Sequence, residues 1–207
     1  MLKYICRHCD NLLCDTSTCP VCGNRTELKT SVIYWSEYYN APSFDEICIL
    51  NGEKCKKIAT DIRPVFAEER LLLEVLDGKP MEYAGKSVWN AGGSRYIVDG
   101  KKINVSYGDY VKTKDANKII SELEKYQSKN QPYVDDFMQQ DYIKNFIDIN
   151  KVRLNTVTSE AFEYVRNKAN GWGIDEMFVS FSGGKDSTVT SHIAMNALGL
   201  NNLIHIY

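Results

Sequence analysis

The fold is decided by the stretch MFVSFSGGKDS at residues 177–187. Its first five residues form a short apolar run with β-branched and aromatic character, which is typical of a buried strand in a parallel sheet. A pair of glycines follows, and from Ser187 to Leu198 the apolar residues recur at helical spacing. Residues 203–207 are apolar again and predict a second strand. Strand, helix and strand together predict one βαβ unit.

The loop between the first strand and the helix has the composition of an anion site. Two serines offer hydroxyl donors, a lysine offers a positive charge, and two glycines leave the backbone N–H groups uncovered. A helix N-terminus also attracts anions through its unpaired N–H groups and its dipole. An aspartate in the first helical turn suits that dipole and can hold magnesium against phosphates. The predicted phosphate-binding residues are Ser182, Gly183, Gly184, Lys185, Asp186 and Ser187. The alternative is an ordinary strand–turn–helix connection.

The loop is not a Walker A motif, because Asp186 follows the lysine where that motif has Ser or Thr. Ser-Gly-Gly-Lys-Asp-Ser after an apolar strand instead resembles the PP-loop of the ATP pyrophosphatase superfamily. Residues 179–187 most resemble the phosphoadenosine phosphosulfate (PAPS) reductase family. The resemblance covers residues 175–207. It implies that the βαβ unit starts a doubly wound α/β domain, and that residues 182–187 bind the phosphate or sulfate group of an adenine nucleotide such as ATP, APS or PAPS.

The same resemblance implies sulfur or adenylyl transfer, so we expect the complete protein to be an enzyme of the PAPS-reductase-like, ATP-pyrophosphatase type. That family has an Asp-Thr segment after the second strand and, in true reductases, a C-terminal catalytic cysteine. Neither has a counterpart before Tyr207, and all seven cysteines precede the loop. We therefore assign no catalytic residue. We expect the 207-residue chain to be the N-terminal part of such a protein and inactive by itself.

Four of the seven cysteines form two C-x-x-C pairs separated by nine residues. Four thiolates can close a tetrahedral zinc site, and Gly23 after the second pair suits the tight turn of a zinc knuckle. The alternatives are two redox pairs, His8 in place of one cysteine, or Cys14 as a substitute in a metal-free or oxidised form. No thioredoxin-like pattern surrounds the pairs. The predicted ligands of a structural zinc ion are Cys6, Cys9, Cys19 and Cys22.

Changes in composition and in the spacing of apolar residues along the chain predict four segments in a mixed α and β protein. These are a zinc ribbon (1–28), a β-rich domain (29–113), a helical connector (114–170) and the start of the PP-loop domain (171–207). In the β-rich segment, Asn51-Gly52 and Asp99-Gly100 each predict a type I′ hairpin turn, and a helix is predicted to end near Gly78. In the connector, we expect a helix, a polar break at 127–132, and two further helices.

The middle segment has a resemblance of its own. Residues 60–66, with Glu69-Arg70, resemble a segment of zinc-ribbon-bearing, PAPS-reductase-like proteins of bacteria and archaea, in some of which this region is a PUA-like β domain. Asp61 and Arg63 are interpreted either as a structural ion pair or as an RNA contact. The ribbon either stabilises the fold or recruits a nucleic acid or protein. The alternative function is therefore a nucleic-acid- or protein-binding module of a tRNA- or DNA-thiolation type protein.

Composition narrows the possible partners and locations. The formal net charge of -2 gives no overall attraction to nucleic acid or to an anionic membrane. The sequence has no apolar run long enough to span a bilayer, and the N-terminus lacks the apolar region of a signal peptide. We therefore expect a cytoplasmic protein with no membrane partner, whose small-molecule ligand is a nucleotide. The sequence indicates no oligomeric state.

Overall fold

The structure is a computed structural model that describes residues 4–9, 12–14, 18–28, 32–106, 108, 116–201 and 203–207. It is mixed α and β, as the sequence predicts. The chain divides into two compact units, Leu2–Asn150 and Lys151–Tyr207, and the division falls inside a long helix. The finer boundaries at residues 28, 113 and 170 stay a prediction. None of the helices in the described ranges combines the length and the apolar character that crossing a lipid bilayer requires.

The first unit begins with a small antiparallel sheet. Its strands are β1 (Tyr4–Cys6), β2 (Leu12–Cys14) and β3 (Glu27–Leu28), in the order β2-β1-β3. A 3-10 turn, Arg7–Cys9, follows β1 directly. β3 begins opposite Ile5, near the end of β1. The second cysteine pair precedes β3. It therefore lies at the same end of β1 as the first cysteine pair.

A second antiparallel sheet follows, with strands β4 (Ile33–Ser36), β5 (Ala41–Ser43) and β6 (Lys56–Ala59) in the order β5-β4-β6. A third contains β7 (Arg63–Pro64), β8 (Val88–Asn90), β9 (Arg95–Val98) and β10 (Lys101–Asn104) in the order β10-β9-β8-β7. These sheets carry the β-rich character predicted for this segment.

Helix α1 (Ala67–Asp77) lies between β7 and β8 and ends where the sequence predicts. Gly78 has a φ of 75° and donates its N–H back to the carbonyls of the last turn, because a glycine adopts this left-handed conformation without steric cost. The apolar side of α1 packs in a cluster of buried residues with the third sheet. That cluster includes Val65, Leu73, Leu76, Tyr83, Val88, Tyr96 and Val98.

Two long helices follow, the second only partly in the first unit, and both differ from the prediction for the connector. Helix α2 (Ala116–Asp135) runs through the expected polar break and contains Pro132. The helix continues because of a tertiary contact with α1. Asn130, inside that stretch, is buried and donates to the carbonyl of Ala67 at 3.0 Å. Helix α3 (Asp141–Ala169) is continuous where two helices were predicted. Its first ten residues belong to this unit, where Asn150 bonds the backbone of Pro42 and Phe44.

The turn at Asp99-Gly100 confirms the predicted type I′ hairpin. Val98 pairs with Lys101 across two residues, and Asp99 (φ 47°) and Gly100 (φ 75°) both lie in the left-handed region. Glycine is required for a second reason. A Cβ on Gly100 would lie 2.6 Å from Nε1 of Trp35, a fully buried side chain. Any larger residue would therefore displace the indole.

The turn at Asn51-Gly52 is not the predicted type I′ turn. Gly52 has a φ of 73°, but Asn51 is not among the residues with positive φ. The turn is longer, because the N–H of Gly52 donates to the carbonyl of Cys48 at 2.9 Å. Asn51 acts instead through its side chain, whose Oδ1 accepts the N–H of Glu53 at 3.0 Å. The Asn-Gly pair suggests a positive φ at Asn51, but here Asn51 stabilises the turn through a side-chain hydrogen bond instead.

The second unit confirms the predicted βαβ order. Strand β11 (Phe178–Ser180) is followed by helix α4 (Lys185–Leu198) and strand β12 (Ile204–Ile206), and the two strands pair in parallel. Gly199 ends α4 with a φ of 68°. The C-terminal part of α3 precedes these elements in the same unit.

The two faces of this parallel sheet differ in burial. On one face Val179 is buried, and His205 Nε2 lies 2.6 Å from the Oγ of Ser191 on α4. On the other face Phe178, at 60 % exposure, neighbours Ile204, at 52 %. The expectation of a strand buried on both sides is therefore wrong for this face. Parallel strands are ordinarily covered by helices on both sides.

The Glu53 carboxylate gives a pH-dependent contribution to the stability of the first unit. Burial opposes its ionisation, but the Ser36 hydroxyl at 2.6 Å and the N–H groups of Tyr38 and Glu37 outweigh that effect and lower its pKa. The ionised Glu53 carboxylate therefore stabilises the fold fully above the pKa that Glu53 has in the unfolded chain. This stabilisation is lost as pH falls through the lower pKa that Glu53 has in the folded protein. We expect Glu53→Gln to cost about 1 kcal/mol at pH 7, allowing for solvent screening, and less at pH 3. Urea unfolding of both proteins at the two pH values measures this. An equal cost at both would contradict it.

Candidate metal centre and anion-binding loop

Four cysteine sulfurs come together at the N-terminus. The Sγ atoms of Cys6, Cys9, Cys19 and Cys22 all lie within 4.8 Å of one another, and all four are free thiols. Cys6 and Cys22 are 3.5 Å apart, and Cys9 and Cys19 are 4.0 Å apart. Four sulfurs at about 2.3 Å from a tetrahedral zinc ion would be about 3.8 Å from each other. The group can therefore hold a metal ion, and its dimensions are consistent with zinc.

Each C-x-x-C turn directs backbone N–H groups at the sulfur of its first cysteine. The N–H groups of Cys22 and Val21 lower the pKa of Cys19 to about 6, against the opposing effect of burial. The pKa of Cys6 is raised by burial and by hydrogen bonds with the Cys22 and Cys19 side chains, against the opposing effect of the N–H groups of Cys9 and His8. These donors favour the thiolate form, which is the form that binds a metal ion. The side-chain amide of Asn24 adds a contact to the Cys22 sulfur at 3.5 Å.

The structure decides between some of the alternatives for this site. The His8 side chain is exposed and is not part of the group of four. The four sulfurs form one close group rather than two separated pairs, which favours a metal ion over two redox pairs. The side chain of Cys14 lies outside the part of the chain that the structure describes.

A second turn repeats the backbone of the Cys19–Gly23 knuckle without its second cysteine, and our sequence reading missed it. In each turn the cysteine N–H donates to the carbonyl five residues later, at 2.8 Å. In each, the glycine N–H (Gly23 or Gly52) donates back to the cysteine carbonyl at 2.9 Å. Cys48 takes the place of Cys19, and Asn51 takes the place of Cys22. The shared pattern C-x-x-x-G would have revealed the repeat.

The repeated turn has a packing role. Cys48 and Cys55 are buried together with Ala41 and Ile149. Burial raises the pKa of Cys55, which keeps that thiol protonated and unreactive. Within the described residues, no group of three or more ligand-type side chains forms around Cys48.

The predicted phosphate loop connects the end of β11 with the start of α4. Phe181 donates its N–H to the carbonyl of Ile206 at 2.8 Å, so the loop leaves the sheet at the carboxyl end of its strands. Gly183 adopts a φ of 73°, and Gly184 is the N-cap of α4. A left-handed glycine in a tight turn before a helix lets the backbone N–H groups of the loop face an anion. Ligands of open α/β sheets bind at this same edge.

The backbone N–H groups of the loop have no acceptor in the part of the chain that the structure describes. From Ser182 to Ser187, none donates a hydrogen bond to any of the described residues, and the helix ladder starts only with Thr188, which donates to Gly184 at 3.1 Å. Unpaired N–H groups at a helix start are ordinarily met by a cap, by water or by a bound anion. Gly184, lacking a side chain, provides no cap.

The loop side chains are placed so that they leave these N–H groups accessible. Ser182 and Ser187 lie 3.3 Å apart through their Oγ atoms, and Ser187 also donates to the carbonyl of Gly184 at 2.9 Å. Lys185 and Asp186 are exposed, and neither forms an ion pair with a described residue. The loop thus presents backbone donors, two hydroxyls and one free cation on the surface of the second unit.

The charged residues of the middle segment are placed differently from the prediction. Arg63 makes a two-bond ion pair with Glu69, at 2.6 and 2.7 Å, in place of the expected pair with Asp61. Tyr96 adds a hydroxyl contact to Glu69 at 3.4 Å. These bonds join β7 to α1, which is a structural role.

A buried ion pair in α1 was also missed. Arg70 is 3 % exposed and Glu74 is fully buried, with Arg70 Nη1 at 2.8 Å from Glu74 Oε1. Glu74 also accepts the N–H groups of Met81 and Tyr83, and Arg70 also donates to Asn130. From sequence alone, an i,i+4 pair of opposite charges predicts an ion pair on the exposed surface of a helix. The turn at Met81 and Tyr83 contacts Glu74, and Asn130 and Tyr133 of α2 contact Arg70.

Comparison of the chain with protein-family models, with curated proteins and with solved structures gave no match.

Proposed function

We propose that residues 182–187 bind the phosphate or sulfate group of an adenine nucleotide, as part of a PAPS-reductase-like protein that carries out sulfur or adenylyl transfer. ATP, APS and PAPS are the candidate ligands. In this proposal the chain contributes the anion-binding edge of the site, and none of its residues is assigned a catalytic role.

The observation that carries the proposal is the run of unpaired N–H groups from Ser182 to Ser187. A tetrahedral anion satisfies several such donors at once, and the α4 dipole adds a favourable field. Lys185 supplies the compensating charge. Asp186, in the first turn of α4, would supply a carboxylate oxygen to a magnesium ion that accompanies the phosphates.

We further propose that the metal held by the four cysteines is zinc with a structural role. Four thiolates and no free coordination position are typical of structural zinc sites. The ion would fix the two knuckles against β1, in a segment too small to bury a core of its own. The ribbon then serves folding first, and recruitment of a nucleic acid or protein is the alternative.

Titration of the 207-residue chain with ATP, APS, PAPS and inorganic pyrophosphate, followed by thermal shift at millimolar ligand, tests the nucleotide proposal. We expect a rise in the melting temperature with at least one adenine nucleotide. No shift with any of them, together with salt-dependent binding of RNA or DNA, would favour the binding-module alternative.

Replacing Lys185 with alanine should weaken nucleotide binding without unfolding the protein. The lysine is exposed and has no ion-pair partner among the described residues, so its loss should cost little stability. The loss of one charged hydrogen bond corresponds to about a 10- to 100-fold increase in Kd. Calorimetric titration measures the change, and Lys151→Ala, an exposed lysine of α3, is the matched control. Unchanged affinity in Lys185→Ala would rule out this loop as the phosphate site.

A further inference from the structure

A groove runs between α1 and α2 on the first unit. It has a volume of about 380 Å³ and is lined from α1 by Leu71 and Leu72 and from α2 by Ile120, Leu123 and Val134. Ile120 remains 52 % exposed. The groove plays no part in the metal centre or in the phosphate loop.

The α2 side of the groove has the spacing of a helix–helix seam. Ile120, Leu123, Gln127, Asn130 and Val134 follow one another at intervals of three, four, three and four residues. This spacing places them on one face of α2, where Ile120, Leu123 and Val134 are apolar and Asn130 already contacts α1. Ile120 and Val134 are separated by about 21 Å along the axis, at about 1.5 Å per residue, which matches about four turns of a partner helix.

The groove is held in shape by buried polar bonds. Asn130, 3 % exposed, donates to the carbonyl of Ala67 at 3.0 Å and accepts from Arg70, so it joins α2 to α1. The Arg70 guanidinium also lies over the ring of Tyr133, 5.0 Å from its centroid. Because both helices are fixed before anything binds, a ligand of the groove would not have to order them.

The charged side chains at the rim of the groove are acidic. Glu68 on α1 and Glu124 on α2 are exposed at its edges, with Gln127 and Gln131 between them, and none of the described lining residues is basic. An acidic rim repels the phosphates of nucleic acids and of anionic lipids. It complements lysine and arginine side chains that flank an apolar stripe.

We propose that this groove binds an amphipathic helix of a partner protein, about four turns long, with basic residues on both sides of its apolar stripe. The apolar side chains fill the space between Leu71, Leu72 and Leu123, and the basic side chains meet Glu68 and Glu124. This is the helix-in-groove mode of recognition, with apolar anchors at helical spacing.

Two fluorescein-labelled peptides of about four turns test the proposal. They share one leucine stripe and differ only in lysine or glutamate at the flanking positions. Fluorescence anisotropy with the whole chain should give a Kd at least about tenfold lower for the lysine peptide at low salt, and a smaller ratio at high salt. The double variant Glu68→Lys/Glu124→Lys should reverse the preference.

A control variant separates the groove from overall charge. Glu82→Lys/Glu163→Lys changes the net charge by the same amount at two exposed positions outside the groove, and should keep the preference for the lysine peptide. Equal affinity for the two peptides, no binding of either, or reversal by the control variant would overturn the proposal. Self-association of the chain that Glu68→Lys/Glu124→Lys abolishes would also overturn it, because a second copy would then be the occupant.

Discussion

Cys19→Ser is expected to lose the metal ion and to unfold the N-terminal ribbon. A structural zinc ion in a peptide of this kind contributes about 10–16 kcal/mol of binding free energy, and each thiolate ligand carries part of it. Cys19 is buried, and its sulfur receives the N–H groups of Cys22 and Val21. A serine hydroxyl offers no thiolate. Metal analysis should fall from about one zinc per chain to nearly none, and limited proteolysis should cleave first within residues 4–28.

Cys48→Ser is the matched control for this result. Cys48 is also buried and also opens a knuckle-shaped turn, but it lies outside the group of four. It should lose some packing free energy and keep its zinc. Retention of zinc in Cys19→Ser, or loss of zinc in Cys48→Ser, would show that the ligand set is wrong. For the unmodified protein, zinc should be released as pH falls, because protons compete with the metal for the thiolates.

Glu74→Ala should destabilise the first unit by about 3–5 kcal/mol, because it leaves the Arg70 guanidinium buried without its counter-charge. It also removes the acceptor for the N–H groups of Met81 and Tyr83, which shape the turn after α1. Urea unfolding monitored by circular dichroism measures the loss. The exposed Glu82→Ala should change stability by less than about 0.5 kcal/mol.

Two further variants separate charge from packing at this position. Glu74→Gln keeps an acceptor for the backbone N–H groups and should cost less than the alanine variant. The apolar pair Arg70→Met/Glu74→Leu removes both charges and should recover much of the loss. If Glu74→Ala unfolds at the same urea concentration as the unmodified protein, Arg70 must be solvated in solution, and the buried pair does not exist there.

Local patterns in the sequence account for much of the observed structure. The two C-x-x-C pairs, the Asp99-Gly100 turn and the βαβ order each depend on residues close together in the chain, and the structure contains all of them. In each case the local chemistry permits few conformations: left-handed backbone at Gly100, or a tight knuckle at Gly23. The anion-binding role of residues 182–187 stays a prediction, supported by loop geometry.

The features that sequence reasoning missed depend on distant contacts. Pro132 and its polar neighbours predict the end of a helix, but Asn130 bonds Ala67 from 63 residues away and keeps the helix continuous. From sequence Glu74 is expected on the surface, but it is buried and accepts the N–H groups of Met81 and Tyr83, seven and nine residues away. Asn51 predicts a two-residue turn, yet its side chain bonds Glu53 and lengthens the turn. No local pattern contains these partners.

The placement of the three tryptophans makes the two units spectroscopically separable. Trp35 and Trp89 are completely enclosed in the first unit, whereas Trp172, in the second, is 62 % exposed. Enclosed indoles emit at shorter wavelength than indoles in water, and they are shielded from iodide. In a Trp172→Phe protein, the blue emission would report the first unit alone. In the unmodified protein, the emission that iodide quenches would report the second, so the opening of each unit can be followed in one cuvette without a label.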